Sequence, residues 1–259
     1  MLSAEVMDVG SFIHDIERVS FSTSELVGFS CTYNSVAFID KLFSDNQVDL
    51  RCVGINSVNK RKSEYLAGRI CAKHCLDKIG YFNYFVKSNE DRSPVWPAGV
   101  VGSISHTENE AICIVGPSDQ YLGVGIDIEK TMSKKEVYFI RDQILLNSEI
   151  ELFDNNYVDT YAFHEFMTLV FSAKESIFKA IYPQIKKYFD FHAVKLNMIF
   201  EGKLYFELVE NLSEIYVKGY ELVLNYEKYD DFIATLVFIK VNGDCRKTKI
   251  KMFDIKKSK

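Results

Sequence analysis

The sequence predicts an α+β fold of two pseudo-symmetric halves, each a small antiparallel sheet packed with helices. Three observations carry that reading. Helical spacing of apolar residues is confined to a few long stretches, chiefly 60–79 and 161–181. Short apolar or alternating runs, bounded by turn residues, follow each of them. The chain has 259 residues and is 47% apolar, enough for one large domain or two small ones with a sizeable core. Twenty Phe and fifteen Tyr add to the expected sheet content.

The elements follow in order. In 60–79, Ala67, Ile70, Cys71 and His74 fall at helical spacing with Leu66 alongside, and Gly80 supplies a stop. Ser93-Pro94-Val95-Trp96-Pro97 is a stiff loop. Val100–Ile104 and Ala111–Val115 form a hairpin candidate around the polar stretch 107–110. Tyr121–Glu129 is a further strand. Residues 134–153 read as helix, and Tyr161–Ile181 as a long helix stopped by Pro183. The remaining strands are Ala193–Phe200, Lys203–Leu208, Glu221–Tyr229 and Phe232–Val241, with turns at Glu201-Gly202 and Asp230-Asp231. The halves divide near Tyr121–Asp127, into 1–122 and 123–259.

Composition narrows the function. A net charge of −5 supplies no global basic field, so nucleic acid is not an expected partner. No stretch of about 18 apolar residues occurs, so no membrane span is expected. The opening residues lack a basic segment followed by an apolar run, and six cysteines are scattered through the chain; the expectation is a cytoplasmic protein with free thiols. Cys71 and Cys75 lack a second ligand pair at zinc spacing. The lysines from Lys249 to Lys259 read as a solvated basic tail.

Three segments carry chemistry. In Val124-Gly125-Ile126-Asp127-Ile128-Glu129, strand alternation turns Val124, Ile126 and Ile128 one way. Asp127 and Glu129 turn the other way, about 7 Å apart. Two such carboxylates suit a hard cation like Mg²⁺; the same pattern also suits a solvent-facing acidic edge. In Phe171-Ser172-Ala173-Lys174-Glu175-Ser176, Glu175 and Lys179 share a helix face. That spacing fits a surface ion pair, and Ser172-x-x-Glu175 fits a capping box. Apolar spacing continues upstream through Phe166, Leu169 and Val170, so the segment reads as mid-helix, where Glu175 is free for a metal and Lys179 for a phosphate. Gly102-Ser103-Ile104-Ser105-His106 ends a strand with small residues and an imidazole, an anion contact or a half-exposed loop histidine. Upstream, Lys62, Arg69 and Lys73 form a basic stripe with Arg61 nearby, a solvated face or a phosphate-binding one.

Taken together these segments resemble the 4′-phosphopantetheinyl transferases of the Sfp/EntD type, with the enterobactin-synthase member nearest. The resemblance runs through Lys60-Arg61-Lys62-x-Glu64-x-Leu66-Ala67-Gly68-Arg69, Pro94-x-Trp96-Pro97-x-Gly99-x-x-Gly102-Ser103-Ile104-Ser105-His106, Gly123-x-Gly125-Ile126-Asp127-Ile128-Glu129-Lys130, and Phe171 to Ala180. It covers roughly 55–182. It implies two α+β halves with coenzyme A between them. It implies transfer of the phosphopantetheine arm to a serine of an apo carrier protein (peptidyl, aryl or acyl), with adenosine 3′,5′-bisphosphate leaving. By the same resemblance, Asp127, Glu129 and Glu175 hold Mg²⁺, and Glu175 also serves as the base, directly or through water. Lys179 neutralises the diphosphate. His106 contacts a phosphate, with Ser105 beside it. Arg61 and Arg69 bind the 3′-phosphate, with Lys174 close to the same ligand. Relatives often carry a Lys-Arg pair before the Pro-x-Trp-Pro loop; here Asp91-Arg92 stands there, leaving Arg92 to act alone. Two halves in one chain point to a monomer, and the enterobactin likeness to nonribosomal peptide siderophore synthesis. Two other readings compete. A non-catalytic coenzyme A or carrier-protein binding module would not need the carboxylates and Lys179. A Mg²⁺-dependent phosphohydrolase would not need the basic helix.

Overall fold

Two antiparallel sheets, each backed by one long helix, make up the framework in a computed structural model that describes residues 11–21 and 25–241. The expected basic tail and Cys245 lie outside the described residues.

Strands β1 (Ile13–Val19) and β2 (Val27–Tyr33) come first, a pair the sequence reading did not anticipate. A short helix α1 (Lys41–Asp45) leads to α2 (Asn59–Lys78). As its glycine stop predicts, α2 ends at Ile79, with Gly80 in the left-handed region at φ 90°. The two-residue strands β3 (Lys87–Ser88) and β4 (Pro94–Val95) frame the stiff loop. The hairpin β5 (Val100–His106) and β6 (Glu110–Pro117) then completes a four-stranded sheet in the order β1-β2-β6-β5.

Strand β7 (Tyr121–Lys130) belongs to the second sheet. Residues 134–153 form two helices rather than one, α3 (Lys134–Ile144) and α4 (Asn147–Asn156). Leu145 and Leu146 turn extended between them, and the Glu149 carboxylate accepts the Leu146 N–H at 2.8 Å, capping α4. The long helix α5 (Phe163–Ile185) passes through Pro183 instead of stopping at it. Pro183 lies in the last turn, where the helix forgoes the one N–H bond that proline cannot make, and Lys186 at φ 49° ends the helix. Strands β8 (Val194–Phe200), β9 (Lys203–Leu208), β10 (Glu221–Lys228) and β11 (Phe232–Lys240) close a five-stranded sheet in the order β7-β11-β10-β9-β8.

Each helix fills its own core. Leu66, Ala67, Cys71 and Cys75 of α2 pack on the first sheet; Phe166, Val170, Ala173 and Ile177 of α5 pack on the second. A third cluster joins the sheets, with Ile112 and Ile114 against Val124, Ile126, Ile128 and Leu236. The alternation read from β7 is therefore correct. The described cysteines are free thiols, and Cys71 and Cys75 are packing residues.

Candidate active site

Backbone proximity comes first. An atom added at Gly125 would stand 1.8 Å from the Ser176 carbonyl oxygen, and one at Gly123 would stand 2.1 Å from that of Ala180. Only glycine lets α5 lie this close to β7. Ser172 and Ser176 then bond Thr235 Oγ1 of β11 at 2.9 and 2.8 Å, pinning the helix to the sheet. This contact delivers Glu175 and Lys179 to the acidic face of β7.

The edge strands β5 and β7 run beside each other but belong to different sheets. Two serines stitch them: Ser103 Oγ accepts the Ile126 N–H at 3.1 Å, and Ser105 Oγ accepts the Ile128 N–H at 3.2 Å. These hydroxyls satisfy edge-strand donors that would otherwise be buried unpaired. Ser105 Oγ also donates to Asp127 Oδ1 at 2.9 Å. The sequence reading set Ser105 against a phosphate. Its hydroxyl is instead committed to Asp127 and buried at 5% exposure, because strand alternation turns it away from the face that carries His106.

Asp127 is 2% exposed, which removes the reading of a solvent-facing acidic edge for this residue. Lys179 Nζ donates to its Oδ1 at 2.6 Å, to Ser105 Oγ at 3.1 Å and to the Ile126 carbonyl at 3.3 Å. Asp127 Oδ2 is buried with no partner. Burial, then the Asp127 charge, raise the Glu129 carboxyl to about 8. Burial also raises Glu175. Burial pulls Lys179 down, but Asp127 and Glu175 outweigh it and hold the ammonium charged. Three carboxylates thus crowd one lysine. Among the described residues no three His, Cys, Asp or Glu side chains are drawn together closely enough to hold a metal ion. The donor set nonetheless fits a hard divalent cation: an orphaned Asp127 oxygen beside two carboxyls whose proton affinity burial raises is a set of oxygen ligands short of positive charge.

A cavity of about 600 Å³ is lined by Arg61 and Arg69 of α2, His106 of β5 and Arg92, and by Glu175 and Lys179 of α5. Glu175 also borders a smaller cavity of about 80 Å³ whose aromatic walls include Phe178, Phe189 and Phe191. The basic stripe on α2 divides on folding. Lys62 is buried and paired with Asp40 at 3.0 Å, and Lys73 pairs with Asp77 at 2.5 Å. Arg69 is 8% exposed, lies 4.2 Å over the Tyr65 ring and donates to Ser88 Oγ at 2.9 Å; its Nε has no partner. A buried guanidinium with a spare donor beside a cavity is equipped for an anion. Arg61 Nη1 lies 3.0 Å from His106 Nε2. Arginine only donates, so Nε2 accepts, and the ring is neutral with its proton on Nδ1. Burial, then Arg61 and Lys179, lower His106 to about 4, in agreement. Arg92 is exposed at the rim with φ 67°.

Lys174 requires a second correction. Resemblance placed it near the ligand, but its side chain is fully buried. Its Nζ donates to Glu149 Oε2 at 2.7 Å and to the Ile144 carbonyl at 2.8 Å, so no donor is offered to the large cavity. The sequence reading gave no role to two groups that line the cavity. Glu64 lies 3.8 Å from Arg61 and 3.9 Å from His106 Nδ1, and its signal was the i,i+3 spacing from Arg61. Ser88 steadies Arg69 from a two-residue strand that carries no pattern.

Comparison with known proteins agrees with this arrangement. Residues 52–116 match the model of the 4′-phosphopantetheinyl transferase N-terminal domain, and residues 123–237 match that of the 4′-phosphopantetheinyl transferase superfamily. The chain is similar to enterobactin synthase component D of Salmonella typhi, 34% identical over 56% of this chain and 57% of that one. It is similar to the same component of Escherichia coli K12, 42% identical over 47% and 55%. It is also similar to the 4′-phosphopantetheinyl transferase PptT of Mycobacterium tuberculosis, 32% identical over 52% and 57%. The chain spans little more than half the length of these curated relatives. The basic cavity wall lies within the first matched segment and the carboxylates with Lys179 within the second, and on that agreement the chain belongs to the 4′-phosphopantetheinyl transferase superfamily.

Proposed function

We propose that this protein transfers the 4′-phosphopantetheine arm of coenzyme A to a serine of an apo carrier protein and releases adenosine 3′,5′-bisphosphate. The observation that supports it most is one cavity lined by Arg61, Arg69 and Arg92 and also by Glu175 and Lys179, whose ammonium grips Asp127. Arg69 and Arg61 bind the 3′-phosphate, with Arg92 at the rim. His106 donates to a phosphate oxygen from Nε2, in the ring's other neutral tautomer, once a ligand draws Arg61 off that nitrogen. Lys179 neutralises the diphosphate. Glu175, whose affinity for a proton is raised by burial, takes the proton from the carrier serine, directly or through a water. Asp127, Glu129 and Glu175 would hold Mg²⁺. When bound, that ion supplies charge stabilisation at the diphosphate.

We read 1–122 and 123–259 as the two halves that build this cleft within one monomer. No helix among the described residues is long and apolar enough to cross a membrane, and we place the enzyme in the cytoplasm. The likeness to enterobactin synthase component D favours carriers of peptide siderophore synthesis. The test is intact-mass analysis of a panel of apo carrier proteins after incubation with the protein, coenzyme A and Mg²⁺. A gain of one phosphopantetheine, lost with chelator, is the expected result. No gain on any carrier, with coenzyme A still bound, would leave a binding module.

A further inference from the structure

Lys179 is held as a resident cation against Asp127, with the charges of Glu175 and Glu129 acting on it. Its ammonium makes its shortest contact with Asp127 Oδ1 at 2.6 Å and is backed by Ser105 Oγ and the Ile126 carbonyl. The second Asp127 oxygen is buried and empty-handed. Glu129 and Glu175 both feel the Lys179 charge. Lys179 also lines the large cavity, so the same ammonium faces the ligand space. Its side chain is 26% exposed, against 0% for Lys174 five residues earlier, so it has room to change partner.

We infer that Lys179 is a place-holder for the divalent cation: in the absence of coenzyme A it occupies and pre-shapes the Asp127 seat, and it yields that seat only when a diphosphate in the cavity draws its ammonium away. The inference rests on the proposed carboxylate site and adds an order of loading to it, ligand before metal. The physics is charge balance. Two cations cannot both sit on Asp127 at contact distance without repulsion that buried surroundings screen poorly. A metal entering alone must break a charge-assisted bond and leave the ammonium unpaired in a half-buried position. A diphosphate removes that cost by offering the ammonium a new anion. Because coupling between two ligands is reciprocal, coenzyme A and metal then raise each other's affinity by the same factor.

Ser105 is the positioning residue of this seat. Its hydroxyl is held by the Ile128 N–H and aimed at Asp127 Oδ1, so the carboxylate keeps its orientation whichever cation is present.

The experiment is Mn²⁺ binding, followed by electron paramagnetic resonance of the free ion and by the Mn²⁺-induced rise in melting temperature. Wild type, K179M, K179R and D127N are each measured with and without coenzyme A. Without coenzyme A, K179M should bind Mn²⁺ about 10-fold to 100-fold more tightly than wild type, the equivalent of one charge-assisted hydrogen bond removed. K179R should stay near wild type. The factor by which coenzyme A tightens Mn²⁺ should be smaller in K179M than in wild type. Unchanged or weaker Mn²⁺ binding by K179M would overturn the place-holder role. K179Q replaces K179M in the same comparison if the apolar side chain prevents folding. D127N separates this inference from the reading beneath it. If D127N with coenzyme A binds Mn²⁺ as well as wild type, the carboxylate site itself is wrong. If D127N loses Mn²⁺ while K179M gains nothing, the site stands and the place-holder does not.

Discussion

Helix α5 carries two lysines five residues apart, and each grips a buried carboxylate of another element. Lys174 meets Glu149 at 2.7 Å and Lys179 meets Asp127 at 2.6 Å. Distance does not tell them apart, but saturation does. Glu149 also accepts the backbone N–H groups of Leu146 and Leu196, each at 2.8 Å, and Lys174 adds the Ile144 carbonyl. That pair ties α5, the start of α4 and β8 together. The Asp127 pair leaves one carboxylate oxygen unsatisfied, stands among further carboxylates and borders a cavity. A closed polar network builds a fold, whereas an open one waits for a ligand.

The comparison breaks most sharply at Asp127. Asp127→Asn keeps the shape and removes the charge, and transfer should fall by about 10³-fold or more, as for loss of a group that stabilises the reacting charge. Folding should survive, because an amide oxygen can still accept from Ser105 and Lys179, and the Lys179 side chain is 26% exposed. Near-native turnover at saturating Mg²⁺ would remove Asp127 from the metal assignment. Lys174→Met should do the reverse. It leaves Glu149 buried and uncompensated, at a cost of about 3–5 kcal/mol in a denaturant melt. Adding Glu149→Gln should recover part of that loss. Whatever activity remains should show the wild-type KM for coenzyme A, which a ligand-binding lysine would not.

Two smaller effects sharpen the division on the cavity side. Arg69→Ala should raise the KM for coenzyme A about 10-fold to 100-fold, in line with one lost charge-assisted contact. Dephospho-coenzyme A should feel the change far less; equal losses with both donors would take the 3′-phosphate away from Arg69. Ser105→Ala should lower kcat about tenfold, as support shells of charged sites do, with little change in KM for coenzyme A. A KM effect as large as that of Arg69 would instead restore Ser105 to the phosphate.

Much of this was legible in the sequence, and the misses share a cause. Alternation in β7 separated Val124, Ile126 and Ile128 from Asp127, and helical spacing put Glu175 beside Lys179. Periodicity assigns a face, not a partner. It could not show that Lys174 turns inward, because Glu149 lies 25 residues earlier on a separate helix. It set Ser105 beside a ligand because the neighbouring edge strand that its hydroxyl stitches is invisible locally. The glycines of Gly123-x-Gly125 carried a signal that spacing alone did not interpret: close approach of a helix, revealed only when α5 is in place. Strand β1 was missed because it is mostly polar and irregular in register, and without it β2 had no hairpin partner to suggest it.

A half-buried carboxylate extends the comparison to the case with no lysine partner. Glu110 opens β6 and is raised to about 7, first by burial and then by the Asp15 charge. Burial and a neighbouring negative charge both oppose ionisation of this group in the fold. The sign follows from linkage: a carboxyl raised above its unfolded value favours the protonated folded state. Its contribution is full below pH about 4.5, where both states are protonated, and is lost as pH rises from there through about 7. Glu110→Gln should therefore stabilise the protein at pH 8 by about 1 kcal/mol, the effect being reduced by the group's partial exposure. At pH 4 it should leave stability unchanged. The check is a pair of urea melts at each pH. Equal shifts at both would show that the gain comes from packing rather than charge, and that a half-buried carboxylate without a lysine is not penalised here.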